Sequence, residues 1–213
     1  VHAQGQLINQ QGDIYAGQNL SLNSLGLDNR TGQIAAKNQL SINTQQQQLN
    51  NQQGKILAKT VDLNTGLVDN QAGLIQAEQS VKINTHQQAL LNNNSGEQGG
   101  ILSQGSIDLN VSTLENQKGY IASMDTQQIT AQNISNQAGQ IISQTDLNIQ
   151  QQQNGGAIQN NAGTLQAQKN LNLSVDQVDN SGVGSQITAG EKLTIHANDV
   201  INSQTKDGKV AGG

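Results

Sequence analysis

Apolar residues recur along the chain in short alternating groups, and the groups themselves recur about every 20 residues. The first copy reads Gly12-x-Ile14-x-Ala16, Leu20-x-Leu22, Leu27-x-Asn29. The second opens at Gly32 and runs through Ile34, Ala36, Leu40, Ile42, Leu49 and Asn51. Further copies open at Gly54, Gly73, Gly99, Gly119, Gly139 and Gly163, a weaker one centres on Ile187 and Ala189, and a partial one is Gly208-x-Val210-x-Gly212. Spacing of i, i+2 is the period of a strand, whereas a helix needs i, i+3, i+4. Three short strands per copy, separated by corners, predict one turn of a coil stacked on itself. The fold class is therefore all-β, a parallel β-helix of about nine to ten turns.

Stacking sets equivalent residues about 4.8 Å apart in inner columns. One column runs Ile14, Ile34, Ile56, Ile75, Ile101, Ile121, Ile141, Leu165, Ile187, Val210. A second holds only Ala or Ser, from Ala16 to Ala189, which predicts a tight corner. Two Leu-type columns follow, headed by Leu20 and Leu22, and Gln127 is the one clear break in the first of them. Asn9, Asn29, Asn51, Asn70, Asn116, Asn136 and Asn160 each precede the opening Gly by three residues. Asn tolerates left-handed backbone and suits a corner, stacked amides can form a ladder, and the Gly then permits sharp re-entry into the next strand.

Copy length varies in few places. Ile42 to Leu49, Ile83 to Leu90 and Ile149 to Ile158 enclose long Gln-containing runs, and Asn93 to Gln98 is an insertion after the Asn. Insertions in a solenoid map to loops on particular faces, which makes Gln45–Gln48, Asn92–Gln98 and Gln150–Gly156 the best loop candidates for binding.

Composition narrows the picture. The chain has no Cys, Pro, Trp or Phe, and charged residues are only 12%. Such a chain builds a narrow aliphatic column rather than an aromatic core. A Gln/Asn-rich composition can also mean disorder, but the regular apolar phasing argues against it. The net charge of −5 gives no electrostatic reason to bind nucleic acid, and base-stacking aromatics are missing. The chain begins mid-repeat at Leu7-x-Asn9, which reads as a piece of something longer, with residues 1–213 forming a single domain.

The pattern Gly-x-Ile-x-Ala…Leu-x-Leu…Leu-x-Asn-x-x-Gly resembles the haemagglutinin repeat of filamentous haemagglutinin and related two-partner-secretion exoproteins, among them contact-dependent growth-inhibition toxins. The resemblance covers Leu7 to Gly212. It implies a right-handed β-helix, secretion by a Gram-negative bacterium through an outer-membrane β-barrel transporter, and display on the cell surface as a stalk or adhesin. A receptor on a host or bacterial cell is the further partner it allows. Neither the secretion domain nor a toxin-like C-terminal region of that family is evident in the sequence.

No chemistry competes with that reading. β-Helical polysaccharide enzymes need clustered carboxylates, whereas the acids are scattered and Arg30 is the one arginine. Asp28, Asp69, Glu115 and Asp179 share the position before a corner Asn, with Asp28 and Asp69 two turns apart. They read as solvated corner carboxylates, with a weak calcium site as the sharper alternative. His2, His86 and His196 lack partners at ligand spacing. No catalytic residue, metal or cofactor is expected. One outward feature stands apart: the residue between the inward Ile and Ala should face solvent, yet it is Leu57, Leu102 and Ile142 in three copies. Leu102, Ala122 and Ile142 fall on adjacent turns, with Tyr120 on the same strand face. Leu102, Tyr120 and Ile142 form the candidate contact patch. The strand edges at either end of the isolated chain are expected to allow end-to-end association.

Overall fold

The computed structural model describes residues 1–204, so the partial copy at Gly208–Gly212 and Val210 of the first column lie outside the described residues. Every regular element among the described residues is a strand, and 24 strands join through parallel pairings into one continuous sheet. The sheet winds into a solenoid of about 9 turns with about 21 residues per turn. Turns are numbered by their first-column residue, from Ile14 in turn 1 to Ile187 in turn 9.

The register follows the predicted columns. Ile14 pairs with Ile34, and the column continues through Ile56, Ile75, Ile101, Ile121, Ile141 and Leu165 to Ile187 without a slip. The Leu20 and Leu22 columns extend the same way to Leu193 and Ile195. The Leu-x-Asn segments stack from Leu7 to Val200. A one-residue slip would turn every apolar side chain outward, so the alternation itself pins the register.

A further inner column lies two residues beyond the Leu22 column, where the sequence pattern is weakest. It holds Ser24, Thr44, Thr65 and Thr85, then Val111, Ala131 and Val175, all buried. The four hydroxyls remain inside because each donates to a carbonyl of its own corner, those of Gly26, Gln47, Gly66 and Gln88. At Val111 and Ala131 the second and third strands fuse into Ser106–Glu115 and Gln127–Ser135, whereas at Val175 they stay separate as Asn170–Ser174 and Gln177–Asp179. Turns 3 and 4 fuse the first two strands instead, as Lys55–Asn64 and Leu74–Asn84. Turn 3 has one residue fewer at that corner, and the register shifts between Ala77 and Ser80 to absorb it. The expectation of three separate strands per turn is corrected for these four turns.

The Asn positions form the amide ladder, and it is longer than the predicted set. Asn92, Asn180 and Asn202 belong to it. From Asn9 to Asn202 each Nδ2 donates to the next Oδ1 at 2.7–2.8 Å, without a gap. The conformational expectation for this corner is corrected. The left-handed residue is not the Asn but the one two positions later: Gln11, Thr31, Gln53, Ala72, Asn94, Lys118, Ala138 and Ala162 all have φ between 51° and 56°. The Gly that follows is needed for space. A Cβ on Gly32, Gly54, Gly73, Gly119, Gly139 or Gly163 would overlap the main-chain oxygen of the Asn one turn earlier.

Gln127 breaks its column as the sequence shows, stacked between Ile107 and Leu147 and fully buried. Its Nε2 donates to the Ile142 carbonyl, while its Oε1 is the one buried side-chain polar atom without a partner among the described residues. Leaving a buried acceptor unpaired costs about 1–3 kcal/mol. Gln127→Leu should therefore stabilise the chain by about 1–2 kcal/mol, part of the gain being offset by the lost bond to Ile142. A urea midpoint that does not rise would show that the amide is better satisfied than its geometry indicates.

Candidate functional site

Two surfaces carry what the corners and columns leave outside. The first is an apolar stripe on the face built by strands such as Gln33–Ala36 and Tyr120–Ser123. Side chains alternate across a strand, so the residue between the inward Ile and the inward Ala or Ser must point out. Register stacks these residues as Tyr15, Ala35, Leu57, Gln76, Leu102, Ala122 and Ile142, one per turn. The structure thus brings Leu102 and Ile142 to one side of the rod, with Tyr120 two residues before Ala122 on the same strand face. With Met124 they line a shallow groove of about 220 Å³. A second groove, about 380 Å³, continues the stripe past Gln76 along Leu57, Ala35 and Tyr15, beside Lys37, Lys59 and Glu78.

The second surface is polar and built by loops. Asn43-Thr44-Gln45-Gln46-Gln47 and Asn84-Thr85-His86-Gln87-Gln88 fold alike, each with two consecutive left-handed residues and a Thr hydroxyl bound to the last carbonyl. They close over the short corner at Gly66, where Gln88 Nε2 donates to the Gln46 carbonyl. His86 does not face an acid; its Nε2 lies 2.7 Å from Asn64 Oδ1. From the other side, Gln152 of the Gln150–Gly156 loop reaches back two turns to Asn110 Oδ1 at 3.0 Å. The result is an amide-lined trough of about 450 Å³ with Asn84, Asn110 and Thr130 among its lining residues. The third predicted loop is elsewhere: its Asn92 is a buried ladder rung, and Ser95 and Glu97 bind Tyr120 N and the Gln140 side chain.

The Gln150–Gly156 loop is held by Asp176 of the following turn. Its carboxylate accepts from Gly155 N and Gln151 Nε2, while Gln151 Oε1 accepts from Gly156 N and Asp176 N. The Gly155 amide above all, then Gln151, pulls the Asp176 pKa below its usual value. A depressed carboxylate supports structure above the unfolded value of about 3.9 and loses that support as pH falls through the lower folded value. Amide-exchange protection at Gly155 should therefore drop by roughly tenfold in Asp176→Ala, and in the unchanged chain as pH falls through the depressed folded value, below the ordinary carboxylate range. Protection that ignores both changes would place the loop's restraint in its other contacts.

The corner carboxylates are corrected in one respect. Asp28 and Asp69 are two turns apart as expected, with Asn50 between them, but they are buried rather than solvated. Each accepts the N–H two residues on, Arg30 and Gln71, as Asn50 and Asp179 do for Gln52 and Ser181. They shape the corner as Asx turns. Hydrogen bonding from Arg30, which also forms a 2.7 Å ion pair, lowers the Asp28 pKa. Bonds from Ser181 and Asn161 lower that of Asp179. Among the described residues no three His, Cys, Asp or Glu gather where they could hold a metal ion, and no helix is long and apolar enough to cross a membrane.

The family model described as "Haemagglutinin repeat" matches residues 2–53 and 149–212, just over half of the chain. No curated protein and no solved structure gives a match. The unmatched middle contains the four turns with fused strands, the 93–98 insertion and Gln127, yet the Ile column and the Asn ladder pass through it unbroken. Repeats of this family form structural, adhesin-type solenoids and imply a secreted, two-partner-secretion context. On the family match and the continuous register, the chain belongs to the haemagglutinin repeat family.

Proposed function

We propose that this segment is a non-enzymatic stalk in a filament on the surface of a Gram-negative bacterium, and that it holds a distal binding or toxic region away from the cell. The observation that carries the reading is the unbroken Asn ladder from Asn9 to Asn202. A core whose polar and apolar columns both run the full length makes each turn support only its neighbours, which suits a spacer. At about 4.8 Å per turn the rod is on the order of 45 Å long. Export through an outer-membrane β-barrel transporter belongs to the same proposal, since such a coil can form turn by turn as it emerges.

The amide-lined trough favours a second reading, in which the segment itself adheres to glycans or cell-surface proteins. The deciding experiment measures binding of the purified segment to epithelial cells and to Gram-negative bacteria, with an unrelated β-solenoid of equal length as control. A stalk binds no better than the control. Saturable binding that disappears when residues 86–88 and 150–156 are shortened to corners would replace the stalk reading with adhesion.

A further inference from the structure

The outward stripe reads the same in both directions. From turn 1 to turn 7 it is Tyr15, Ala35, Leu57, Gln76, Leu102, Ala122, Ile142: large, small, Leu, Gln, Leu, small, large. In turns 8 and 9 the same position is Gln166 and Thr188, and the apolar character stops. A stripe with this symmetry is complementary to a copy of itself turned end for end. We infer that the face pairs with a second copy of this chain, antiparallel, about a two-fold axis that lies along the strand direction at Gln76.

The axis fixes every contact. Leu57 of one copy meets Leu102 of the other, Ala35 meets Ala122, Tyr15 meets Ile142, and Gln76 meets its own equivalent. A primary amide carries both donor and acceptor, so two of them can pair across a two-fold. Because the axis runs along the strands, neighbouring outward columns also face themselves, which sets Leu74 against Leu74. The lysines of turns 2 and 3, Lys37, Lys55 and Lys59, come opposite the outer positions of turns 5 and 6. Those positions are Gly100, Gln104, Tyr120 and Met124, so no cation faces a cation. Glu78, which faces itself, follows the Ala77 paired with Ala58 and so lies next to Lys59 in its own column.

Size permits the pairing. Seven turns at about 4.8 Å and a five-residue strand width at about 3.3 Å per residue cover roughly 550 Å² on each copy. Two copies bury about 1,100 Å², just past the ~1,000 Å² that separates a specific interface from a chance contact. The isologous geometry closes at two copies and does not propagate. Two rods overlapping over seven turns would be cross-braced side by side, which is distinct from association at the strand edges of the ends.

Sedimentation velocity on the 213-residue chain tests this. The unchanged chain is expected to form a dimer. Leu57→Asp and Leu102→Lys, each alone, should weaken it at least ~100-fold, because each places two unpaired charges in the interface. Mixing the two variants should restore the dimer, since position 57 of one chain then meets position 102 of the other as an ion pair and the second contact is Leu on Leu. Only this pairing predicts that rescue. Circular dichroism confirms that each variant is folded. As an independent measurement, Gln76→Cys should cross-link to itself with a short bismaleimide, while Gln166→Cys should not. The chain has no other cysteine. A monomer up to on the order of 100 μM, a mixture that stays monomeric, or association unaffected by either variant would overturn the inference.

Discussion

Asn116→Ala is expected to lower the unfolding free energy by about 3–5 kcal/mol, against about 1 kcal/mol for the same change at Asn9. Asn116 is fully buried in mid-ladder. Its amide accepts from Asn92 at 2.8 Å and donates to Asn136 at 2.7 Å and to the carbonyls of Gly119 and Gln140. Truncation leaves a buried donor on one turn and a buried acceptor on the next, each costing about 1–3 kcal/mol, and opens a cavity between them. Asn9 is the first rung and lacks a donor before it, so only one neighbour is stranded. Urea unfolding of both variants decides the matter. Equal losses would mean that the amides act singly and the ladder has no collective role.

Asn116→Asp separates hydrogen bonding from shape. The introduced carboxylate keeps the volume but has no proton for the Gln140 carbonyl or for Asn136. Burial and these acceptors raise its folded pKa above the unfolded value of about 3.9. The deficit relative to the unchanged chain is then smallest in acid and grows as pH rises through the unfolded and then the folded value. An alanine-sized loss independent of pH would indicate a packing effect alone.

The fold was legible because its main signal is periodic and has one physical meaning. Alternating Ile, Leu and Ala at fixed offsets can be satisfied only by strands with one face inward, and copies of similar length can be satisfied only by stacking. Both the Ile14 column and the break at Gln127 follow from that arithmetic. What escaped the sequence were positions whose residue type has two uses. Thr44, Thr65 and Thr85 look like surface residues in a strand, and only the corner carbonyls within reach of their hydroxyls make burial inexpensive. Asn92 looks like part of an insertion because six residues, rather than the usual two, separate it from Gly99. Asp28 and Asp69 look solvated until the corner is seen to fold around them.

The candidate site was legible in position but not in extent. Leu102 and Ile142 are conspicuous because a solvent-facing position holds a large aliphatic residue. Leu57 stands out in the same way, but the polar Gln76 between it and Leu102 hides that Tyr15, Ala35 and Leu57 continue the same stripe. The trough was less visible still, since His86, Asn110 and Gln152 lie in three different turns and meet only because two loops lean towards each other across the intervening corners.

Exchanging Ala138 and Gly139 is the sharpest test of why the corner needs glycine. By backbone preference the native order is backwards, since Ala138 has φ of 51° and Gly139 does not occupy the left-handed region. A left-handed alanine costs about 1–2 kcal/mol, so Ala138→Gly alone should be neutral or slightly stabilising once the added freedom of the unfolded chain is counted. Gly139→Ala should be severe. The new methyl would overlap the Asn116 main-chain oxygen and lie 2.6 Å from Asn136 Oδ1 and 3.0 Å from Asn116 Nδ2. No flexible side-chain end is available to yield: the first obstacle is backbone and the other two are rungs of the ladder. Relief requires the two turns to separate, which lengthens the 2.7 Å bond between Asn116 and Asn136 and the 2.9 Å bond from Gln140 N to the Gly119 carbonyl. A loss of about 3 kcal/mol or more is expected for Gly139→Ala and for the exchanged pair alike. If conformational freedom were the reason for glycine, the exchange would instead be neutral or stabilising. Thermal melts of the two single variants and the exchange would distinguish these outcomes, because contact between turns and backbone strain predict opposite signs for the same pair of substitutions.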